Sequence, residues 1–151
     1  MVWLIALPSG LLSYRVIEHI FNSTKYMDLL KEMIIPIIKL NMRTDFYFQQ
    51  DNSPVHTAKI VKEFFTTSQI EVLQWPAYSP DINIVEDIWK TISDTVYDGN
   101  TFTIKYNLEV AISNCIHGIN SSKRHLVLDL YKNIRSKLCI IMRKNGNLYN
   151  K

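Results

Sequence analysis

Apolar positions along the chain recur with two periods, and the switches between them mark out its elements. Val2 to Leu7 is an apolar run closed by Pro8-Ser9-Gly10, and Leu11 to Ile17 follows; two short segments around such a turn predict a β-hairpin. The spacing then becomes helical, with Tyr26, Leu29, Leu30, Met33 and Ile34 on one face and Asn22 or Ser23 placed to cap the start. Pro36 has no amide hydrogen, so it must kink or end that helix, or start the next turn. Asp45-Phe46-Tyr47-Phe48-Gln49-Gln50-Asp51 predicts an aromatic strand with an acid at its C-terminal end. Ala58, Val61, Phe64 and Phe65 mark one face of an amphipathic helix, and Ile70, Val72 and Gln74 mark a short strand closed by Pro76. Beyond the loop Tyr78-Ser79-Pro80, the stripe Val85, Ile88, Trp89 and Ile92 predicts a further helix. Thr103 to Met142 reads as two more helices with a loop near Gly118 to Ser122, and Asn145-Gly146-Asn147 as a turn before Tyr149. Strands and helices alternating after a hairpin predict an α/β sheet with helices packed on it. No repeat or low-complexity segment marks a second domain.

The composition is that of a globular chain: 151 residues, 47% apolar and 21% charged, enough to bury a core. Charge is unevenly divided. From Ser121 to Lys151 there are eight Lys and Arg against Asp129 alone, a net +7, while the first 120 residues carry nine bases and thirteen acids, a net −4. A basic tail on a mildly acidic body fits a phosphate-bearing partner, and equally a solvated helix face. Two cysteines, Cys115 and Cys139, make no disulfide framework and no zinc spacing. The four glycines lie far apart, which excludes a P-loop and a dinucleotide fingerprint. The apolar start lacks the positive flank of a secretion signal, and Pro8 stops it too early for a membrane span; a buried strand is the better reading.

Two carboxylates stand out by position. Asp51 closes the aromatic strand, and Glu86 follows Asn83 by three residues at the start of a helix. Each also has a plain structural reading: Asp51 as a turn former or helix cap, Glu86 as the glutamate of a capping box. Asn52 suits a loop-holding role through backbone hydrogen bonds. His56 suits either orientation of Asp51 and phosphate contact, or packing at a helix start. Trp75 and Trp89 read as core, and Tyr78 as a loop aromatic able to stack on a base.

The residues around the two acids weigh further. Gln50-Asp51-Asn52-Ser53-Pro54-Val55-His56-Thr57-Ala58 resembles the Asp-Asn-x-Pro-x-His block of Tc/mariner transposases. Trp75-Pro76-Ala77-Tyr78-Ser79-Pro80-Asp81-Ile82-Asn83-Ile84-Val85-Glu86 resembles that family's Trp-Pro-x-x-Ser-Pro-Asp-Leu-Asn-Pro-Ile-Glu block. Between Asp51 and Glu86 lie 34 residues, the spacing of the second and third metal-binding acids in the family's Asp-Asp-Glu branch. Met1-Val2-Trp3 is similar to the family's Val-Trp strand, and Leu128 to Tyr149 to its closing basic helix. Two positions depart from the pattern: Leu4 where Gly is expected, and Ile84 where Pro is expected.

The resemblance implies an α/β, ribonuclease H-like fold, a mixed sheet flanked by helices and lacking its first strand, over a partial catalytic domain spanning residues 1–151 with a basic helical segment at about 121–151. It implies cut-and-paste phosphoryl transfer on DNA, with Mg²⁺ or Mn²⁺ as a pair of ions held in part by Asp51 and Glu86 and supported by Asn52 and His56. The family's first aspartate lies upstream of the Val-Trp strand, so the 151 residues alone are expected to be inactive. Lys123, Arg124, Lys132, Arg135, Lys137, Arg143 and Lys144 are candidate phosphate contacts. Expected partners of the full-length parent are transposon-end and target DNA and a second copy of itself, in the nucleus, with no membrane. The competing expectation is a degenerate or domesticated remnant that binds DNA or protein without catalysis.

Overall fold

The computed structural model describes residues 1–18, 20–41, 46–77 and 79–143. Asp45, Tyr78, Lys144, the turn expected at 145–147 and Tyr149 lie outside the described residues. In chain order the elements are β1 (Val2–Ala6), β2 (Leu12–Val16), α1 (Ser23–Asn41), β3 (Tyr47–Phe48), α2 (Pro54–Thr57), α3 (Lys59–Thr67), β4 (Glu71–Val72), a 3-10 turn (Pro80–Ile82), α4 (Ile84–Tyr97), α5 (Lys105–Ser122) and α6 (Arg124–Arg143). They group into two compact units, the first made of Met1–Ile17 and the chain from Pro80 on, the second of Glu18–Ser79. Among the described residues the strands form two separate pairs, β1 antiparallel to β2 and β3 parallel to β4, where a single sheet was expected.

In the first unit the hairpin has Val2 opposite Val16 and Ala6 opposite Leu12. A two-stranded ribbon is marginal in water, so it depends on what covers its face. Leu4 and Leu12 are buried in one cluster with Ile88 and Ile92 of α4, Ile112 and Ile116 of α5, and Val127 of α6. The turn needs Gly10: its φ is +79°, and a Cβ there would lie 2.8 Å from the Arg124 carbonyl oxygen. The outer edge of β2 is closed by a side chain. Asn120 accepts from the Leu12 amide and donates to the Leu12 carbonyl, both at 2.8 Å. Tyr131 likewise donates to the Ala6 carbonyl at 2.8 Å.

The loop expected near Gly118 to Ser122 is helical, and the break falls one residue later, at Lys123. Ser121 and Ser122 read as loop formers, but their hydroxyls donate back to the carbonyls of His117 and Gly118 and so stay inside the helix.

In the second unit Asn22 caps α1 by accepting from the Lys25 amide at 3.0 Å. Pro36 sits inside α1 without ending it. Tyr26, Leu30 and Ile34 are buried along α1, and Val61, Phe64 and Phe65 along α3. Gln69 turns the chain from α3 into β4 with a φ of 55°, and the Phe48 carbonyl accepts from the Leu73 amide at 2.9 Å to extend the pairing. Only two residues of the expected aromatic strand pair as β3, and Asp51 stands in the loop beyond it.

Candidate metal-binding carboxylates

Asp51 is held by its own loop. Its Oδ1 accepts from the Ser53 amide at 3.0 Å, which is the turn-forming role read from the sequence, and lies 2.5 Å from Nδ1 of His56. An ionised carboxylate only accepts, so Nδ1 carries the proton in this pair. Pro54 starts α2 and places His56 in that helix's last turn, where its amide donates to the Ser53 carbonyl at 2.9 Å.

The imidazole is itself braced from α1. The Tyr26 ring lies against it with centroids 4.3 Å apart, Tyr26 donates its hydroxyl to Gln50 Oε1 at 2.7 Å, and Gln50 Nε2 donates to the His56 carbonyl at 3.2 Å. Burial, and after it the Asp51 carboxylate, push the Tyr26 phenol well above its usual pKa, so it stays a donor. Asn52 takes the loop-holding role: its Nδ2 donates to the Trp75 carbonyl at 2.8 Å, tying the two sequence blocks together. A cleft of about 510 Å³ opens here, bordered by Asp51, Asn52, His56, Lys62 and Trp75.

Glu86 occupies the first turn of α4. Asn83 caps that helix by accepting from the Val85 amide at 3.2 Å. The amide of Asn83, which a capping-box glutamate would accept from, donates to the Pro80 carbonyl at 3.0 Å. Glu86 is exposed, and its carboxylate makes no hydrogen bond or ion pair among the described residues. The neighbouring Asp87 has the opposite fate, paired with Lys137 and only 12% exposed.

Both carboxylates suit a hard divalent cation, which prefers oxygen ligands. Asp51 has its hydrogen bonds on Oδ1, with Oδ2 clear of them, and Glu86 offers both oxygens. Among the described residues no three His, Cys, Asp or Glu side chains gather as a metal cage.

The basic candidates divide. Lys123, Arg124, Lys132, Arg135 and Arg143 are exposed, Lys132 bonding Asp129 at 3.0 Å and Arg124 donating to the Asn120 carbonyl at 2.6 Å. Lys137, read from the sequence as a phosphate contact, is instead only 8% exposed and paired with Asp87. The periodicity holds the reason: Leu130, Ile134, Lys137 and Ile141 share one helical stripe, and the lysine falls on its apolar side. Tyr26 and Gln50 carry roles that the sequence reading missed, since Tyr26 counts there as one more apolar stripe position. Trp75 and Trp89 are half-buried, Trp89 packing on the core.

Residues 9–109, about two thirds of the chain, match the family described as DDE superfamily endonuclease. The chain belongs to this family. Its match to the DDE superfamily takes in both Asp51 and Glu86. The Tc3 transposase of Caenorhabditis elegans is 29% identical over 151 residues, covering 99% of the chain and 45% of that relative. The Tcb2 transposase of Caenorhabditis briggsae is 35% identical over 92 residues, 61% of the chain and 34% of that relative. The chain thus spans less than half the length of either transposase. In fold it is similar to the catalytic domain of Mos1 transposase, solved with raltegravir and Mg, with a TM-score of 0.73 at 17% identity, covering 99% of the chain and 76% of that domain. The ribonuclease H-like fold expected for a DDE endonuclease is thereby borne out. Among the described residues no helix is long and apolar enough to cross a membrane.

Proposed function

We propose that this chain is the part of a Tc/mariner-type transposase catalytic domain that carries its second and third metal-binding acids, and that the whole protein cuts and joins DNA strands in the nucleus. The observation that carries this reading is the state of the two acids. Asp51 is braced through His56 yet exposed, and Glu86 is released from capping, within a DDE-family match and 34 residues apart. Asp51 and Glu86 would each hold a divalent ion, Mg²⁺ or Mn²⁺. Such ions, when bound in a pair, activate the attacking oxygen and stabilise the leaving 3′-oxygen of a phosphodiester. His56 fixes the Asp51 rotamer, Tyr26 fixes His56, and Asn52 keeps the loop closed on the Trp75 segment.

The reading as a decayed, non-catalytic remnant draws on the departures at Leu4 and Ile84. Both residues are packed: Leu4 is 7% exposed within the core cluster, and Ile84 is 3% exposed at the start of α4. They add apolar contacts where they stand, which favours the catalytic reading of the parent.

Titration of Mn²⁺ into isotope-labelled protein is expected to broaden resonances at Asp51 and Glu86 first; broadening confined to other acids would sink the assignment. The 151 residues alone, supplying two of the three carboxylates the family uses, are expected to leave transposon-end DNA intact with Mg²⁺. Joined to the upstream aspartate strand of the family they should cleave it. Asp51→Asn or Glu86→Gln in the joined protein should then abolish cleavage without unfolding, because metal charge is lost and packing is not.

A further inference from the structure

We propose that Lys137 is a positioning residue for Glu86: by binding Asp87 and the Asp81 carbonyl it leaves Glu86 as the carboxylate of the first turn of α4 that a cation can reach. The inference rests on the metal-binding reading of Glu86 given above.

Glu86 and Asp87 are consecutive acids at the N-terminus of α4, where the helix dipole favours negative charge on either. By charge and place alone, both qualify as cation ligands. The fold separates them. Lys137 reaches from α6 with its ammonium on Asp87 Oδ2, and the two side chains are only 10% and 12% exposed. The same ammonium lies 3.4 Å from the carbonyl oxygen of Asp81, in the 3-10 turn just before α4. One cation therefore clamps both sides of the Asn83 cap. Successive helical residues are about 100° apart around the axis, so drawing Asp87 inward sets the direction of Glu86, which is exposed.

Two consequences follow for a bound cation. Asp87 is already neutralised, so it does not compete for the ion. The turn carrying Glu86 is fixed before binding, so little ordering is left to oppose it. Lys137 meets neither the ion nor the DNA, and acts through Asp87 and the Asp81 carbonyl.

The test is a Mg²⁺ titration of the 151-residue protein, followed by the side-chain carboxyl ¹³C shifts of Glu86 and Asp87, with the Asp51 carboxyl as an internal reference. In the wild type Glu86 should respond and Asp87 should not. In Lys137→Met, Asp87 should begin to respond and the Glu86 midpoint should rise about threefold or more, with the Asp51 midpoint unchanged. Lys137→Arg, which keeps the cation, should restore the wild-type pattern, a rescue that a volume-filling role would not need. Where Lys137→Met unfolds because the largely buried Asp87 loses its counter-charge, Lys137→Met combined with Asp87→Leu removes both charges and keeps the packing. In that double variant the Glu86 midpoint should still rise. A Glu86 midpoint within twofold of wild type in every folded variant overturns the positioning role while the metal reading stands. Absence of any Glu86 response in the wild type overturns the metal reading itself, and the positioning role with it.

Discussion

Two phenols, Tyr26 buried beneath the Asp51 loop and Tyr131 half-buried on the last residue of β1, hold backbone or loop groups that the rest of the fold relies on. Burial raises both pKa values, Tyr131 to about 12 and Tyr26 further still, above the usual phenol value of 10.0. The folded state therefore favours the neutral phenol, and its contribution is complete below pH 10. As pH rises from 10 to 12 the unfolded chain loses these protons while the folded chain keeps them, so stability falls. For Tyr131 the loss is on the order of 2 kcal/mol. Urea midpoints at pH 9 and pH 11.5 check this: Tyr131→Phe should be weaker than wild type at pH 9 for want of the Ala6 bond, but should decline less between the two.

At the scale of elements, the hairpin is a ribbon with one edge sealed by a helix. Asn120 satisfies both polar groups of Leu12 from outside the strand pair. Asn120→Ala should therefore cost about 2 kcal/mol, from the lost bonds and the half-buried groups left unpaired, and should expose an edge that self-associates. Chemical denaturation reads the first effect, and light scattering near the unfolding midpoint reads the second. The hairpin, α3 and α4 were legible in the sequence because Val61, Phe64, Ile88 and Ile92 keep a clean period with one face buried. The end of α5 was not, because Ser121 and Ser122 carry loop propensity that back-bonding cancels. At the site, Asp51 and Glu86 stood out through the motifs around them. Whether Glu86 capped α4 could not be read from spacing, since that depends on Pro80 reaching the Asn83 amide first. The Tyr26–His56 contact was hidden because it joins α1 to α2 across 30 residues of sequence.

For the molecule as a whole, the basic C-terminal helix works on two sides. Arg124, Lys132, Arg135 and Arg143 fall within an arc of about 100° on α6, taking 100° per residue, and all four are exposed, with Lys137 facing the other way. Changing those four to Gln should reduce the slope of log affinity for duplex DNA against log salt by about 3, whereas Lys137→Met should leave it unchanged; fluorescence anisotropy across a salt series separates the two. The closure of the hairpin edge has a consequence in time. Its keystone, Asn120, is 108 residues downstream of Leu12, and the Tyr131 bond to Ala6 spans 125. A ribosome emits the β1–β2 ribbon long before either side chain exists, so the ribbon is secured only after α5 and α6 have been made. Until α5 and α6 emerge, the nascent ribbon has an open border to shield, and a chaperone that grips extended apolar segments would find its natural hold there.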